Sequence, residues 1–177
     1  ALVSSIEAIK SAKLDLQNLN LNRMGVIIGC GIGGIKTLEN EHNIITNKGA
    51  KRVSPQFVAK MIPNIAGGHL SMRFGFRGPS QTVISACASS NDAIGIALRL
   101  IRYGDADVIL TGGTEASITP LTIAGFGNMR ALSQNCENPT KASRPFDAHR
   151  DGFVLSEGAG MIILESEEHA LKRGATI

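Results

Sequence analysis

Apolar positions recur every three to four residues at the start of the chain. Leu2, Ile6, Ile9, Leu14, Leu16 and Leu19 predict a helix over 2–19, because that spacing lines one face of a 3.6-residue turn. Asn18, Asn20 and Asn22 break it. Residues 24–30 (MGVIIGC) form an unbroken apolar run, the pattern of a strand buried on both faces. The run enters a glycine loop, Gly29-Cys30-Gly31-Ile32-Gly33-Gly34, and a second helix is expected from Ile35 to about Ile45. After a polar connection at 47–54, Pro55 suits the first turn of a helix, where its missing N–H has no partner to lose. Phe57, Val58, Met61, Ile62, Ile65 and Leu70 continue a helical stripe, interrupted by Pro63 and Gly67-Gly68. Gly78-Pro79 marks a turn. Residues 82–86 predict another buried strand. Residues 88–103 predict a helix with Ala93, Ile94, Ala97, Leu98 and Ile101 on one face, and 106–111 a third strand ending in Gly112-Gly113. Residues 120–150 carry Gly, Asn, Pro and Ser throughout and predict a loop-rich stretch. Strand material follows within 152–164. A short helix over 166–173 stops at Gly174, and Thr176-Ile177 looks like the start of a further strand. No internal repeat or linker interrupts this series. Buried strands alternating with helices predict an α/β layered fold with a largely parallel sheet.

Composition narrows the function. Hydrophobic residues are 43% and charged residues 19% of 177, well outside the range in which a chain stays disordered. No apolar run approaches the length needed to cross a bilayer, and no signal peptide is visible. Ala1 stands where an initiator Met is usual, so the chain is expected to begin at a processed or cropped end. The net charge of +3, one Tyr and no Trp give no basic stripe with stacking aromatics, so nucleic acid is not an expected partner. Three widely spaced cysteines, Cys30, Cys87 and Cys136, form no CxxC pair, which argues against a disulfide framework or a metal site and for a reducing compartment. Glycine is high, 20 of 177 residues or about 11% against about 7% in ordinary proteins, and should mark tight turns and close backbone packing.

Two motifs carry candidate chemistry. Gly29-x-Gly31-x-x-Gly34 matches the form of a dinucleotide fingerprint, but that fingerprint needs an acidic residue about 20 positions later. Lys51-Arg52-Val53-Ser54 stands there instead, so no nicotinamide cofactor is expected and the glycines read as a close-packed turn. Ile84-Ser85-Ala86-Cys87-Ala88-Ser89-Ser90 places Cys87 at a strand-to-helix junction. Small neighbours allow a sharp turn that projects the thiol into a cleft. A helix N-terminus behind it presents free N–H groups and favours thiolate over thiol, as an activated nucleophile requires. The alternative, a buried small spacer, stays open on these residues alone.

Cys87 lies within a longer series: GCGIGG (29–34), MIPNIAGGHL (61–70), RGPSQTVISACASSNDAIG (77–95), YGDADVILTGGTEA (103–116), GFGNMRALS (125–133) and SRPFDAHRDGFVLSEGAGMIILE (143–165). In order and nearly end to end, this series resembles the elongating β-ketoacyl-acyl-carrier-protein synthases of type II fatty-acid synthesis. Ser85 stands where that family usually has Thr, and Ser156 where it often has Gly. The resemblance implies a thiolase-like layered αβαβα fold, of which residues 1–177 would be most of the N-terminal half, lacking its first strand, with the C-terminal half absent. It implies decarboxylative condensation of an acyl-enzyme with malonyl-acyl-carrier protein, with no cofactor and no metal. Cys87 would be the acylated nucleophile, and its N–H one donor of the oxyanion hole.

The same resemblance places Ile32 at the acyl pocket, Phe126 on a mobile glycine-flanked loop beside it, and Phe57 at the dimer interface, reaching towards the partner's pocket. For Ile32 and Phe57, ordinary core packing is the alternative. Lys51, Arg52 and Arg130 match basic positions that meet acyl-carrier protein; a solvated basic surface is the alternative there. Asp147, Asp151 and Glu157 would hold loops by hydrogen bonds. Cys30 and Cys136 have no implied role. His42, His69, His149 and His169 lie outside the family's catalytic motifs, whose two His and a Lys come from the second half, so these residues alone should not condense anything. A homodimer is implied, with strand 82–86 at its interface. The expected location is the cytoplasm in a bacterium, or a plastid or mitochondrion in a eukaryote. A polyketide ketosynthase and a non-catalytic dimerisation or chain-length partner remain as alternatives.

Overall fold

A run of apolar residues can be buried on both faces only in the middle of a covered sheet, and that is where the run beginning at Met24 lies. The computed structural model describes residues 1–177. Helix α1 (Leu2–Ser11) leads through a turn into strand β1 (Met24–Gly29), every residue of which is buried. Helices α2 (Ile35–Lys48), α3 (Phe57–Met61) and α4 (Ile65–Phe74) follow, then strand β2 (Ser80–Val83), helix α5 (Ser89–Arg102), strand β3 (Val108–Glu115), helix α6 (Pro120–Asn128), strand β4 (Gly158–Glu165) and helix α7 (Glu167–Lys172). The sheet order is β2-β1-β3-β4. β1 runs parallel to β2 and to β3, and β4 runs antiparallel to β3. The largely parallel α/β sheet expected from the sequence is therefore present, with one reversed strand at its edge.

Side-chain alternation divides the core in two. Met24, Val26 and Ile28 of β1, with Val108 and Leu110 of β3, meet Ile9, Leu14, Leu70 and Phe76 on the side of α1 and α4. Ile27 and Ile109 face the other way, onto Ala93 and Ala97 of α5. Alanines one helical turn apart let α5 lie close against the sheet.

Several boundaries differ from expectation. The first helix ends at Ser11 rather than at 19; Lys13, at φ 52°, turns the chain away. Gly67 and Gly68 do not interrupt α4 but lie within it, Gly67 buried beneath β1 and β2. β2 covers 80–83, not 82–86, and it is half-exposed rather than buried. It has β1 on one side only, and residues 84–88 leave the sheet to enter α5. β3 continues through Gly112-Gly113 to Glu115. Within the stretch expected to be loops, 120–128 form α6, whose start is fixed by Thr119 accepting from the Thr122 N–H and by Pro120 in the first turn. Residues 176–177 form no strand.

Candidate active site

Because β1, β2 and β3 are parallel, their carboxyl ends meet at one end of the sheet, where open α/β sheets take their ligands. Cys87 projects there from a tight elbow. β2 ends at Val83, and the chain passes through Ala86 at φ 52° into a single 3-10 turn, 86–88, that runs directly into α5. A left-handed conformation costs a residue with a side chain about 1–2 kcal/mol, so the turn needs outside support. Ser89 supplies it. Its Oγ accepts from the Ser85 N–H at 2.9 Å and donates to the Ala86 carbonyl at 2.7 Å. The Ser85 hydroxyl bonds in turn to the Asp92 carboxylate one turn into α5.

The helix reaches the sheet because two glycines leave room. A Cβ at Gly29 would lie 2.4 Å from the Ser89 backbone, and one at Gly113 would lie 2.6 Å from the Ser90 Cβ. The resulting elbow leaves Cys87 exposed. No side chain caps the N-terminus of α5, so its first N–H groups carry the helix's partial positive charge towards this end of the sheet. The N–H of Cys87 itself is paired with no protein acceptor, as an oxyanion donor must be.

The glycine loop after β1 sits beside this elbow. Its shape is set by Glu115, the last residue of β3. One carboxylate oxygen accepts from the Gly31 and Ile32 N–H groups at 2.7 Å each, and the other accepts from the Gly33 N–H at 3.1 Å. The N–H groups that a pyrophosphate would require are thus already occupied by a side chain of the same protein. Ile32 is 39% exposed. Cys30 is buried, with Sγ 3.7 Å from the same carboxylate; burial pushes its thiol above the usual value, and the neighbouring negative charge adds to this. Cys30 thus differs from the exposed Cys87 in both burial and electrostatics.

The remaining residues singled out by sequence are spread more widely. Phe126 lies in the last turn of α6, not on a loop, and packs edge-on against Phe153 at 5.2 Å. Two glycines beside it do not break the helix, because Thr119 and Pro120 start it firmly. Phe57 opens α3 and is half-buried. Lys51 and Arg52 lie exposed on a short 3-10 turn after α2, where Arg52 borders a shallow groove with Ile44 and Lys48. Arg130, at φ 55° just beyond α6, borders a different feature: an open cleft of about 990 Å³ shared with Arg144, Phe146, Arg150 and Phe153. The three basic residues do not line one surface feature.

Asp147, Asp151 and Glu157 hold loops. Asp147 accepts from the His149 N–H, Asp151 from Ser133 and the Gln134 N–H, and Glu157 from the Ile118 N–H. His169 bonds to Glu165, which lies opposite Val108 at the start of β3, the far end of the sheet from Cys87. No group of three or more His, Cys, Asp or Glu is arranged to hold a metal ion. No helix is long and apolar enough to cross a membrane. Glu115, Ser89 and Asp92 were not singled out by sequence reasoning. The one visible signal for Glu115 was an acidic residue closing an otherwise apolar and glycine-rich strand.

Residues 1–170 match the family profile of the β-ketoacyl synthase N-terminal domain. Over all 177 residues the chain is 49% identical to 3-oxoacyl-[acyl-carrier-protein] synthase 2 of Synechocystis sp. and 48% identical to the protein of the same name from Staphylococcus aureus. It spans 42% of the length of each of these relatives. Among solved structures, it superposes with a TM-score of 0.90 at 35% identity on a chain of AntDE:AntF, a type II polyketide acyl-carrier protein in complex with its ketosynthase. With a β-ketoacyl synthase from Burkholderia phymatum the TM-score is 0.79 at 30% identity. Both alignments cover 99% of this chain and 45% of the other. These neighbours are ketosynthases of the thiolase-like fold.

Proposed function

The chain belongs to the β-ketoacyl synthase N-terminal domain family, and from that premise we propose that it supplies the nucleophile of a condensing enzyme of fatty-acid elongation. The observation that carries this reading is Cys87: exposed, on a strained elbow, at an uncapped helix N-terminus, with its own N–H unpaired. In the proposed reaction the Cys87 thiolate attacks the thioester carbonyl of an acyl-carrier protein. The carrier's C–S bond breaks, its thiol leaves, and the acyl group becomes a thioester on Cys87. The Cys87 N–H, joined by a donor from elsewhere, stabilises the oxyanion. Malonyl-carrier protein then loses carbon dioxide. The resulting carbanion attacks the acyl carbonyl, forms the new C–C bond and releases the Cys87 thiolate.

The two His and the Lys that stabilise the carbanion would come from a second half of the protein, with residues 1–177 as the N-terminal half, so these residues alone would not condense. Ile32 would meet the acyl chain, Phe126 would form pocket wall from the end of α6, and Phe57 would reach towards a partner's pocket. Lys51, Arg52 and Arg130 would steer the acidic carrier protein, mainly by raising its on-rate. A homodimer would form along β2. Its open edge suits this, because Val26 and Cys30 donate to the carbonyls of Pro79 and Val83, leaving the N–H groups of Ser80 and Thr82 pointing away from β1.

The likeness to the AntDE:AntF structure supports a polyketide ketosynthase as a second reading; the higher identity to the 3-oxoacyl synthases favours fatty-acid elongation. A non-catalytic partner would have no use for an exposed, strained Cys87. The test is intact-mass measurement of the full-length protein after incubation with acyl-carrier protein bearing an acyl chain. One acyl adduct, absent from Cys87→Ala, is expected. No adduct on the active-length protein, or an adduct that survives Cys87→Ala, would overturn the proposal.

A further inference from the structure

We infer that Glu115 is a positioning residue for substrate chain length, acting by holding Ile32 in place beside Cys87; this rests on the condensing reading above. Three successive N–H groups converging on one point make a concavity that binds anions. Gly31, Ile32 and Gly33 form such a concavity, and Glu115, from another strand and 84 residues away from Gly31, fills it. Glu115 belongs to none of the four ion pairs of the molecule, which join Arg23 to Asp107, Arg144 to Asp151, and His169 and Arg173 to Glu165. Backbone donors of the loop therefore hold this carboxylate without help from a cation.

What the carboxylate fixes is not core. Ile32 is 39% exposed, on a loop pressed against the elbow: a Cβ added to Gly31 would lie 3.0 Å from the Glu115 oxygen and 3.7 Å from the Ala86 carbonyl. Ala86 is the strained residue immediately before Cys87. Loop, carboxylate and nucleophile thus share the carboxyl end of the three parallel strands. An acyl chain bound to Cys87 starts next to this loop, so the side chain of Ile32 is placed to meet it. A rigidly held loop gives that side chain one position and a sharp limit on the chain it admits; a loosened loop gives several positions and a blunt one.

The carboxylate is chemically suited to this. It only accepts hydrogen bonds, and it meets only donors. In Glu115→Gln the amide oxygen can still serve Gly31 and Ile32, but its NH₂ then faces the Gly33 N–H. In Glu115→Ala all three donors lose their partner. The two variants should therefore be graded in effect.

The experiment measures kcat/KM of the full-length protein for short-chain and long-chain acyl-carrier proteins, in Glu115→Gln, Glu115→Ala, Ile32→Ala and the double variant Ile32→Ala/Glu115→Ala. We expect the ratio of short-chain to long-chain kcat/KM to move by about tenfold in Glu115→Ala, the scale set by one or two methylenes in an apolar pocket, and by less in Glu115→Gln. In the Ile32→Ala background, Glu115→Ala should move that ratio by less than about twofold, because residues acting through one another do not add. The alkylation rate of Cys87 by iodoacetamide should stay within about twofold of wild type, since the Ser89 bonds at the elbow are untouched. An equal loss for every chain length, with a lower melting temperature, would overturn the inference and leave Glu115 a structural residue. An undiminished effect in the Ile32→Ala background would also overturn it. A wild-type protein that neither acylates nor condenses would sink the condensing reading itself, and this inference with it.

Discussion

Ser89 performs two tasks with one hydroxyl. It accepts from the Ser85 N–H and donates to the Ala86 carbonyl, closing the turn that carries Cys87, and it is almost fully buried in doing so. Ser89→Ala leaves both backbone groups without that partner. The Ala86 carbonyl keeps the Ser89 N–H, and Ser85 and Ala86 are exposed, so the loss is that of ordinary hydrogen bonds, about 1 kcal/mol. We expect the urea midpoint to fall by that equivalent, and the iodoacetamide reaction of Cys87 to slow as the elbow relaxes. Unchanged reactivity despite the stability loss would mean that the elbow does not depend on Ser89. Ala86→Gly tests the strain from the other side. Glycine removes a left-handed penalty of about 1–2 kcal/mol and costs about 0.4–1 kcal/mol in unfolded-chain entropy, so stability should rise by up to about 1 kcal/mol. At this scale the sequence is legible for the place of Cys87 at the strand-to-helix junction and not for its supports. Cys87 announced itself by small neighbours between an apolar run and a helix. Ser89 and Asp92 looked like ordinary first-turn polar residues, and their partners could be known only once the turn existed. Glu115 depends on two strands being neighbours, which no local pattern specifies.

Elements were most legible where burial is symmetrical. β1 lies in the centre of the sheet and its apolar run named it directly. For β2 the sequence pattern starts two residues late and implies burial, because Thr, Val and Ile suit an edge strand and a central strand alike. α6 is obscured in the sequence because Gly125 and Gly127 suggest breaks, although Thr119-Pro120 is a strong start signal. The edge position of β2 bears on the proposed dimer. An edge strand has unpaired backbone groups to offer, and a central one has none. In that proposed dimer Gln81, exposed within this edge strand, would meet its own copy if the two-fold axis passes through the strand's centre. Gln81→Glu would then oppose like charges, which destabilises a cross-strand pair by up to about 1 kcal/mol. Two-fold symmetry makes one substitution act on both strands. We expect the dimer dissociation constant of the full-length protein to rise about fivefold, on the conversion of 1.4 kcal/mol to tenfold, and more strongly at low salt, as sedimentation velocity would show. An unaltered constant would place the interface elsewhere.

On the scale of the whole molecule, the candidate site and the ionic anchorage occupy opposite ends of the sheet. Cys87 and the glycine loop gather at the carboxyl ends of the parallel strands, and the shortest ionic contacts gather at the amino ends. Arg173 grips Glu165 through two bonds of 2.6 Å and also donates to the Ala12 carbonyl at 3.0 Å, tying α7 and β4 to the end of α1. Nearby, Arg23 holds Asp107 at 2.7 Å. Burial alone would raise the Glu165 carboxyl, but hydrogen bonds from Arg173 and His169 outweigh it and hold the group below its ordinary 4.5. The Arg23 hydrogen bond likewise holds Asp107 below its ordinary 3.8. A carboxyl whose pKa is lower folded than unfolded binds more protons in the unfolded chain, so its contribution is complete above the unfolded value and is lost as pH falls through the folded one. The wild-type protein should therefore keep its urea midpoint down to about pH 5 and lose stability steeply below about pH 4. Glu165→Gln should start lower at neutral pH, by about 2 kcal/mol, because the Arg173 charge loses its partner. It should then fall less steeply on acidification, since one of the linked protons is gone. Parallel acid limbs in the two proteins would show that the anchorage at this end of the sheet does not run through Glu165.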